Sequence, residues 1–258
     1  MRLYKIRAML YRDMISFSKT KERMIELLFF PVTSAIIWGM FARHYASFSM
    51  ETGLMMLLIN IFWSFAYTSQ STGNLQINTD VWSHSLNQLL VSGLSEVEYL
   101  VSRLVFSTVA SLGVITVMTW VATWFGFVVP ALPGYAWLIF ACLLASSVLG
   151  ILVVTLYLRL GREYAFLSWS FLQLIILLSA PFFPIETYPG FVQGIVRLLP
   201  HTWVFQAVRG LAATGLVDIA IVNRAVLISL LALVFVFPLY VRVFRYARQS
   251  GSLVRLGF

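Results

Sequence analysis

The side chains able to run acid–base, nucleophilic or metal chemistry are few in this sequence and scattered. Its three histidines, His44, His84 and His201, stand far apart and lack the short spacings that bring ligands onto one ion, so no metal site is expected. The single cysteine, Cys142, lies within an apolar run; it can form no internal disulfide and reads as a small packing residue. The sequence contains no G-x-x-x-x-G-K-[ST], no G-x-G-x-x-G and no H-E-x-x-H, so it lacks the common phosphate-cradling and zinc signatures. Glu26 is the one carboxylate near the edge of an apolar run. At membrane depth it could serve a lipid-modifying enzyme as acid or base, since ionisable groups there are costly and usually functional. Standing alone, it reads instead as a capping or snorkelling group, and no catalytic residue is assigned.

The elements that would position any site are membrane spans. Of 258 residues, 60% are hydrophobic and 11% charged, with a mean hydropathy of +0.88. A soluble domain is roughly half apolar and about a quarter charged, so the chain reads as a polytopic, all-α membrane protein. A bilayer core needs about 20 apolar residues in a helix. Six transmembrane helices are predicted, at 25–42, 54–73, 104–129, 135–158, 164–183 and 223–243, within one transmembrane domain over 1–258.

Charge sets the orientation. With both termini on one side, seven Lys/Arg before the first span, Arg103, Arg159, Arg162 and four in the tail share that side, leaving Arg43, Arg197, Arg209 and Arg224 opposite. Lysine and arginine favour the cytoplasmic side, so both termini are expected to be cytoplasmic. The net charge of +8 is then an orientation signal and a contact for anionic membrane lipids, not a nucleic-acid patch. The long basic leader, with no A-x-A site after the first apolar run, argues against a signal peptide.

Three segments do not read as spans. Residues 1–24 place Leu3, Ile6, Leu10, Met14 and Phe17 on one helical stripe with Arg2, Lys5 and Arg12 elsewhere, which predicts an interfacial amphipathic helix. The loop at 80–96 carries Leu86, Leu89 and Leu90 at helical spacing with Ser85, Asn87 and Gln88 opposite, a short projecting helix; Ser95 and Glu98 then form a capping box. The stretch 184–212 holds Pro184, Pro189 and Pro200, which cannot sit inside one helix without losing hydrogen bonds. It is expected to fold back on the outer side as two short re-entrant helices, with Pro200 ending the first, because unsatisfied backbone cannot face lipid. Gly190 and Gly194 add one GxxxG.

Together these segments resemble the membrane subunit of a type-2 ATP-binding-cassette exporter, a permease family that includes drug, lipo-oligosaccharide and polysaccharide exporters. SLNQLLVSGLSEVEYLVSRLV is similar to the family's inner-loop motif. PFFPIETYPGFVQGIVRLLPHTWVFQAVRG is similar to its Pro-rich turn, helix and closing Arg-Gly pair. The chain departs from many relatives at 79–84, where Asp80 is the only charged residue, and at Leu199–Pro200, where they carry Asn-Pro. The resemblance implies an exporter working as a dimer with a second copy or a related permease, in a bacterial or archaeal plasma membrane. It also implies a separate ATPase subunit that binds the ATP and receives the loop helix Ser85, Leu86, Asn87, Gln88, Leu89 and Leu90; the chain itself would hold no cofactor. The spans carry no charged ladder, so an amphipathic drug, lipid-linked or saccharide cargo fits better than an inorganic ion. An integral-membrane lipid-modifying enzyme is the alternative.

Overall fold

The computed structural model describes residues 2–19, 21–45, 49–83 and 85–250; at residues 21–24, 26, 87, 90, 162 and 169 the description is confined to the backbone. His84, Arg255 and the side chains of Glu26, Asn87 and Leu90 thus lie outside the described residues. Every regular element described is helical: α1 (Leu3–Lys19), α2 (Lys21–Tyr45), α3 (Met50–Trp82), α4 (Ser85–Val91), α5 (Glu96–Thr123), α6 (Leu132–Leu160), α7 (Leu167–Leu178), α8 (Gly190–Leu198), α9 (Pro200–Thr214) and α10 (Ile219–Gln249), with 3-10 turns at Arg162–Phe166 and Ile185–Thr187.

Five helices are long and apolar enough to cross a membrane: Leu27–Tyr45, Met50–Trp82, Glu96–Thr123, Leu132–Leu160 and Ile219–Gln249. The run at 164–183 does not form one long helix. It divides into a 3-10 turn and α7, whose 12 residues cover only about 18 Å. Ala180, at φ 50, and the prolines at 181 and 184 then stop it.

Several helices differ in extent from the apolar runs. α3 continues beyond 73 through buried Asn74, Gln76, Asn78 and Asp80, and the last three bond to neighbouring helices rather than to water. α5 starts at Glu96, behind the Ser95–Glu98 capping box, and its helix ends before Gly126, which has φ 92. Arg103 therefore lies inside a helix and not in a loop. Pro200 begins α9 instead of ending α8: it occupies the first turn, where its missing N–H would be unpaired anyway.

α3 is the centre of the bundle, packed by α2, α5, α6, α7 and α9. Its approach to α2 depends on Gly53, where a Cβ would stand 2.6 Å from the Ala42 carbonyl oxygen. The larger core joins α2, α3, α5, α6, α9 and α10 through residues such as Phe62, Met118, Leu138 and Phe205. A second core gathers the opposite helix ends around Tyr99, Tyr157, Tyr240 and Phe244. α6 and α10 run parallel: Trp137 donates to Asn223 at 2.8 Å near their starts, and Tyr157 and Tyr240 share the second core near their ends.

α1 buries Ile6, Met9 and Asp13. Leu3 and Met14, on the same predicted apolar stripe as Ile6, are 75% and 65% exposed. The apolar side chains thus divide between a face on the bundle and an outer one, and hydrophobic spacing alone does not separate the two.

Candidate functional site

Two features meet on α3: an ion network at its C-terminal end, and a groove along one face. The network begins with Arg103 on α5, 1% exposed. Its two terminal nitrogens donate to Asp13 Oδ2 on α1 at 2.6 Å and Asp80 Oδ2 on α3 at 2.8 Å. Arg12, about a third exposed, bridges the same two carboxylates at 3.0 and 2.9 Å. Tyr99 donates to Asp80 at 2.8 Å and Gln76 to Asp13 at 3.1 Å. Two cations meet two anions, so the cluster is neutral while every carboxylate oxygen finds a donor. Buried charges persist only with such pairing.

The network also seats the loop helix. Ser85 Oγ donates to Asp80 Oδ1 at 3.1 Å, and the Lys5 ammonium on α1 donates to the Gly93 carbonyl just beyond α4. Gly93 turns the chain at φ 78, a conformation that suits glycine. Leu86 is 2% exposed and Leu89 packs partly buried on the same second core. Leu86 and Leu89 therefore pack on the chain itself. Among the described side chains of α4, Gln88 and Val91 face outward, the latter 90% exposed. The α5 end is held separately, by Arg245 donating to Glu96 at 2.6 Å and Tyr240 to the Glu96 carbonyl at 3.1 Å.

The groove, of about 930 Å³, lies between α2 and α3. On α3 its lining recurs at helical spacing from Asn60, Trp63 and Tyr67 through Ser71 and Leu75 to Thr79 and Trp82. Asn60 to Trp82 measures about 33 Å along a helix, close to the roughly 30 Å of a bilayer core. The α2 wall supplies Leu27, Phe30, Pro31, Trp38 and Ser34, which donates to Asn60 Oδ1 at 3.1 Å. Phe17 and Phe106 lie toward one end and Gln173 and Phe182 complete the lining. Trp63 and Tyr67 face this groove, Phe65 is fully buried in the core, and Trp120 and Trp124 are exposed elsewhere.

The proline-rich segment packs above α7. Pro184 precedes the Ile185–Thr187 turn and Pro189 precedes α8. α8 exposes Phe191, Ile195 and Leu198 while Val196 is buried; a Cβ on Gly190 or Gly194 would meet nothing within 4 Å. α9 is buried along one side. His201, at its start, lies 3.2 Å from Ser146 Oγ near the middle of α6, whereas Val217, just past its end, lies against Gly134 at the start of α6. The Arg209 guanidinium donates to the Ala180 and Pro181 carbonyls, tying α9 to the end of α7.

Among the described residues no group of acids, histidines and cysteine could hold a metal ion. The family model described as ABC-2 type transporter matches residues 4–213, from α1 through α9. A comparison with curated proteins found no match.

Proposed function

Because this chain belongs to the ABC-2 type transporter family, and is thus a multi-pass, non-catalytic membrane component of a transporter, we propose that it is the permease subunit of an exporter whose separate ATPase docks on α4. The groove along α3 is the single observation that carries the transport reading. It is a membrane-length face of hydroxyl, amide and aromatic side chains along the central helix of the bundle. Paired with a second copy or a related permease, it forms one wall of the path for an amphipathic cargo.

Six crossings are supported by direction. α6 and α10 run parallel, so the chain between them must return from one face to the other. The Arg162–Phe166 turn and α7 begin that return, and α9, rising from the middle of α6 to its start, completes it. In this reading α8 and α9 are the two re-entrant helices on the outer side, α8 leading to the mid-depth start of α9, and the charge asymmetry puts both termini in the cytoplasm of a bacterial or archaeal cell. α1 then lies on the inner surface with Leu3, Tyr4, Tyr11 and Met14 toward lipid.

Residues 85–90 remain the coupling element, with divided roles. Ser85, Leu86 and Leu89 seat the helix on the network, while Gln88 and neighbouring Val91 face the ATPase. A closing ATPase pair that pushes on α4 thereby pushes on α1, α3 and α5 together. The test is co-purification of the tagged chain with an ATPase subunit. ATP hydrolysis should appear in the complex and be absent from the chain alone; robust hydrolysis by the chain alone would refute the assignment.

A further inference from the structure

On another face of α3, where it meets α5 and α6, lies a second and much smaller cavity, of about 10 Å³. That is the scale of a single water molecule. Ser69, Gln70 and Asn74 of α3, Arg103 of α5 and Gly150 of α6 are among the residues that line it. Four of them hold a buried polar atom that finds no partner among the described residues: Ser69 Oγ, Gln70 Oε1, Asn74 Nδ2 and Arg103 Nε. None of these four residues is more than 4% exposed, so bulk water does not serve them. A buried polar atom left unpaired is costly and calls for an explanation. Four around one water-sized space call for a common one.

We infer that this cavity binds one water molecule as a fixed member of the ion network. The count of donors and acceptors specifies it. Arg103 directs its two terminal nitrogens to Asp13 and Asp80, so the Nε–H is left to donate. Gln70 gives its Nε2 to the Ser168 carbonyl at 3.0 Å, so Oε1 is left to accept. The occupant must therefore accept from a guanidinium and donate to an amide oxygen. Water does both, and keeps one donor and one acceptor site for the Ser69 hydroxyl and the Asn74 amide. A halide has no proton for Gln70, and a metal cation has no lone pair for Arg103. Gly150 supports the same reading. Inside a helix glycine is less favourable than alanine. Yet a Cβ at this position would stand 3.6 Å from the Gln70 carbonyl oxygen and 3.9 Å from Asn74 Oδ1, both ordinary contacts. Close helix packing does not require the glycine; what its missing side chain provides is space. The water there ties Arg103 to Gln70 and Asn74, a further link between α5 and α3 that needs no third carboxylate.

The test has two arms, both on the full chain. The first is a cryo-electron-microscopy map, with an antibody fragment bound for size, fine enough to show ordered waters. One water should stand within hydrogen-bond distance of Arg103 Nε and Gln70 Oε1. The second arm compares Gly150→Ala with Gly150→Ser by denaturant titration in detergent. The alanine methyl takes the space of the water and leaves the polar atoms unpaired, so the folded-to-unfolded ratio should fall about tenfold or more. Serine carries a hydroxyl into that space and should stay within about threefold of the parent. A dry cavity predicts the reverse order. Alanine would then match or exceed the parent, through a filled void and a better helix former, and serine would fall below alanine. That order, or a map with no density in the cavity, overturns the proposal. Density that appears only in buffers holding one particular salt overturns it in favour of an ion. If neither variant folds, the map of the parent decides alone.

Discussion

Replacing Arg103 with methionine tests whether the ion network holds the α4 platform together. The side chain keeps much of its length but loses both ion pairs, at 2.6 Å to Asp13 and 2.8 Å to Asp80. Arg12 still reaches one oxygen of each carboxylate and Tyr99 still serves Asp80, but Asp13 Oδ2 loses its donor in a site with no solvent access. Removing one partner of a buried pair costs about 3–5 kcal/mol. At about 1.4 kcal/mol per tenfold, that lowers the folded-to-unfolded ratio by roughly two to three and a half decades. A second variant separates charge from packing. Replacing Arg103, Asp13 and Asp80 together by Met, Leu and Leu removes the buried ions as a set, which is often neutral or stabilising. Denaturant titration in detergent, followed by size-exclusion profile, reads both. The single variant should fall by about 3 kcal/mol or more, and the triple should recover most of it. A single variant within about 1 kcal/mol of the parent, or a triple as unstable as the single, would refute the claim that paired charge holds these helices.

Other outcomes follow from the same structure. Leu86→Asp should destabilise the chain by several kcal/mol, since it places a charge in the second core, whereas Val91→Asp should leave the amount of folded protein unchanged and lose the ATPase; equal abundance of the two would contradict the packing of α4. Cysteines at Glu186 and Gln193 should react with an impermeant thiol reagent applied outside intact cells, and labelling of Gln193 from the cytoplasm alone would reverse the topology. His201→Ala should cost about 1 kcal/mol, one lost hydrogen bond with Ser146 left buried, as judged by denaturant midpoint; no change would mean that the α9 start is not held at mid-depth.

How much of this was legible in the sequence depends on what each interaction leaves along the chain. Long apolar runs marked five of the helices, and the prolines marked where α7 breaks and α8 begins, whereas Pro200 opens α9 instead of closing α8. The second half of α3 was not legible as a span because its polarity is answered by other helices, as with Gln76 on Asp13 and Asn78 on Ser168. The ion network joins Asp13 to Arg103 across 90 residues, Arg12 to Asp80 across 68 and Asp80 to Arg103 across 23, so no local spacing announces it. A signal did exist: Arg103 is the only Lys or Arg between Arg43 and Arg159, and Asp80 the only acid between Glu51 and Glu96. Isolated opposite charges within apolar surroundings need each other. The leucines of α4 were visible as one face, but spacing could not say whether that face meets a partner or the chain's own core. Leu86 and Leu89 meet the core, and among the described side chains Gln88 and Val91 face outward.

The claim that α3 carries the cargo path, driven through α4, is tested most directly by one accessibility scan in the chain assembled with its ATPase. Single cysteines at Ser64, Ser71, Leu75 and Thr79 lie on the groove stripe, and Ser69 and Gly73 lie off it at the same depth. Reaction rates with a water-soluble thiol reagent are measured with and without ATP trapping of the partner. The stripe positions should react, and their rates should change at least tenfold on trapping, while the off-stripe positions stay slow throughout. Rates that show no helical period along α3, or that ignore the nucleotide state, would contradict the account.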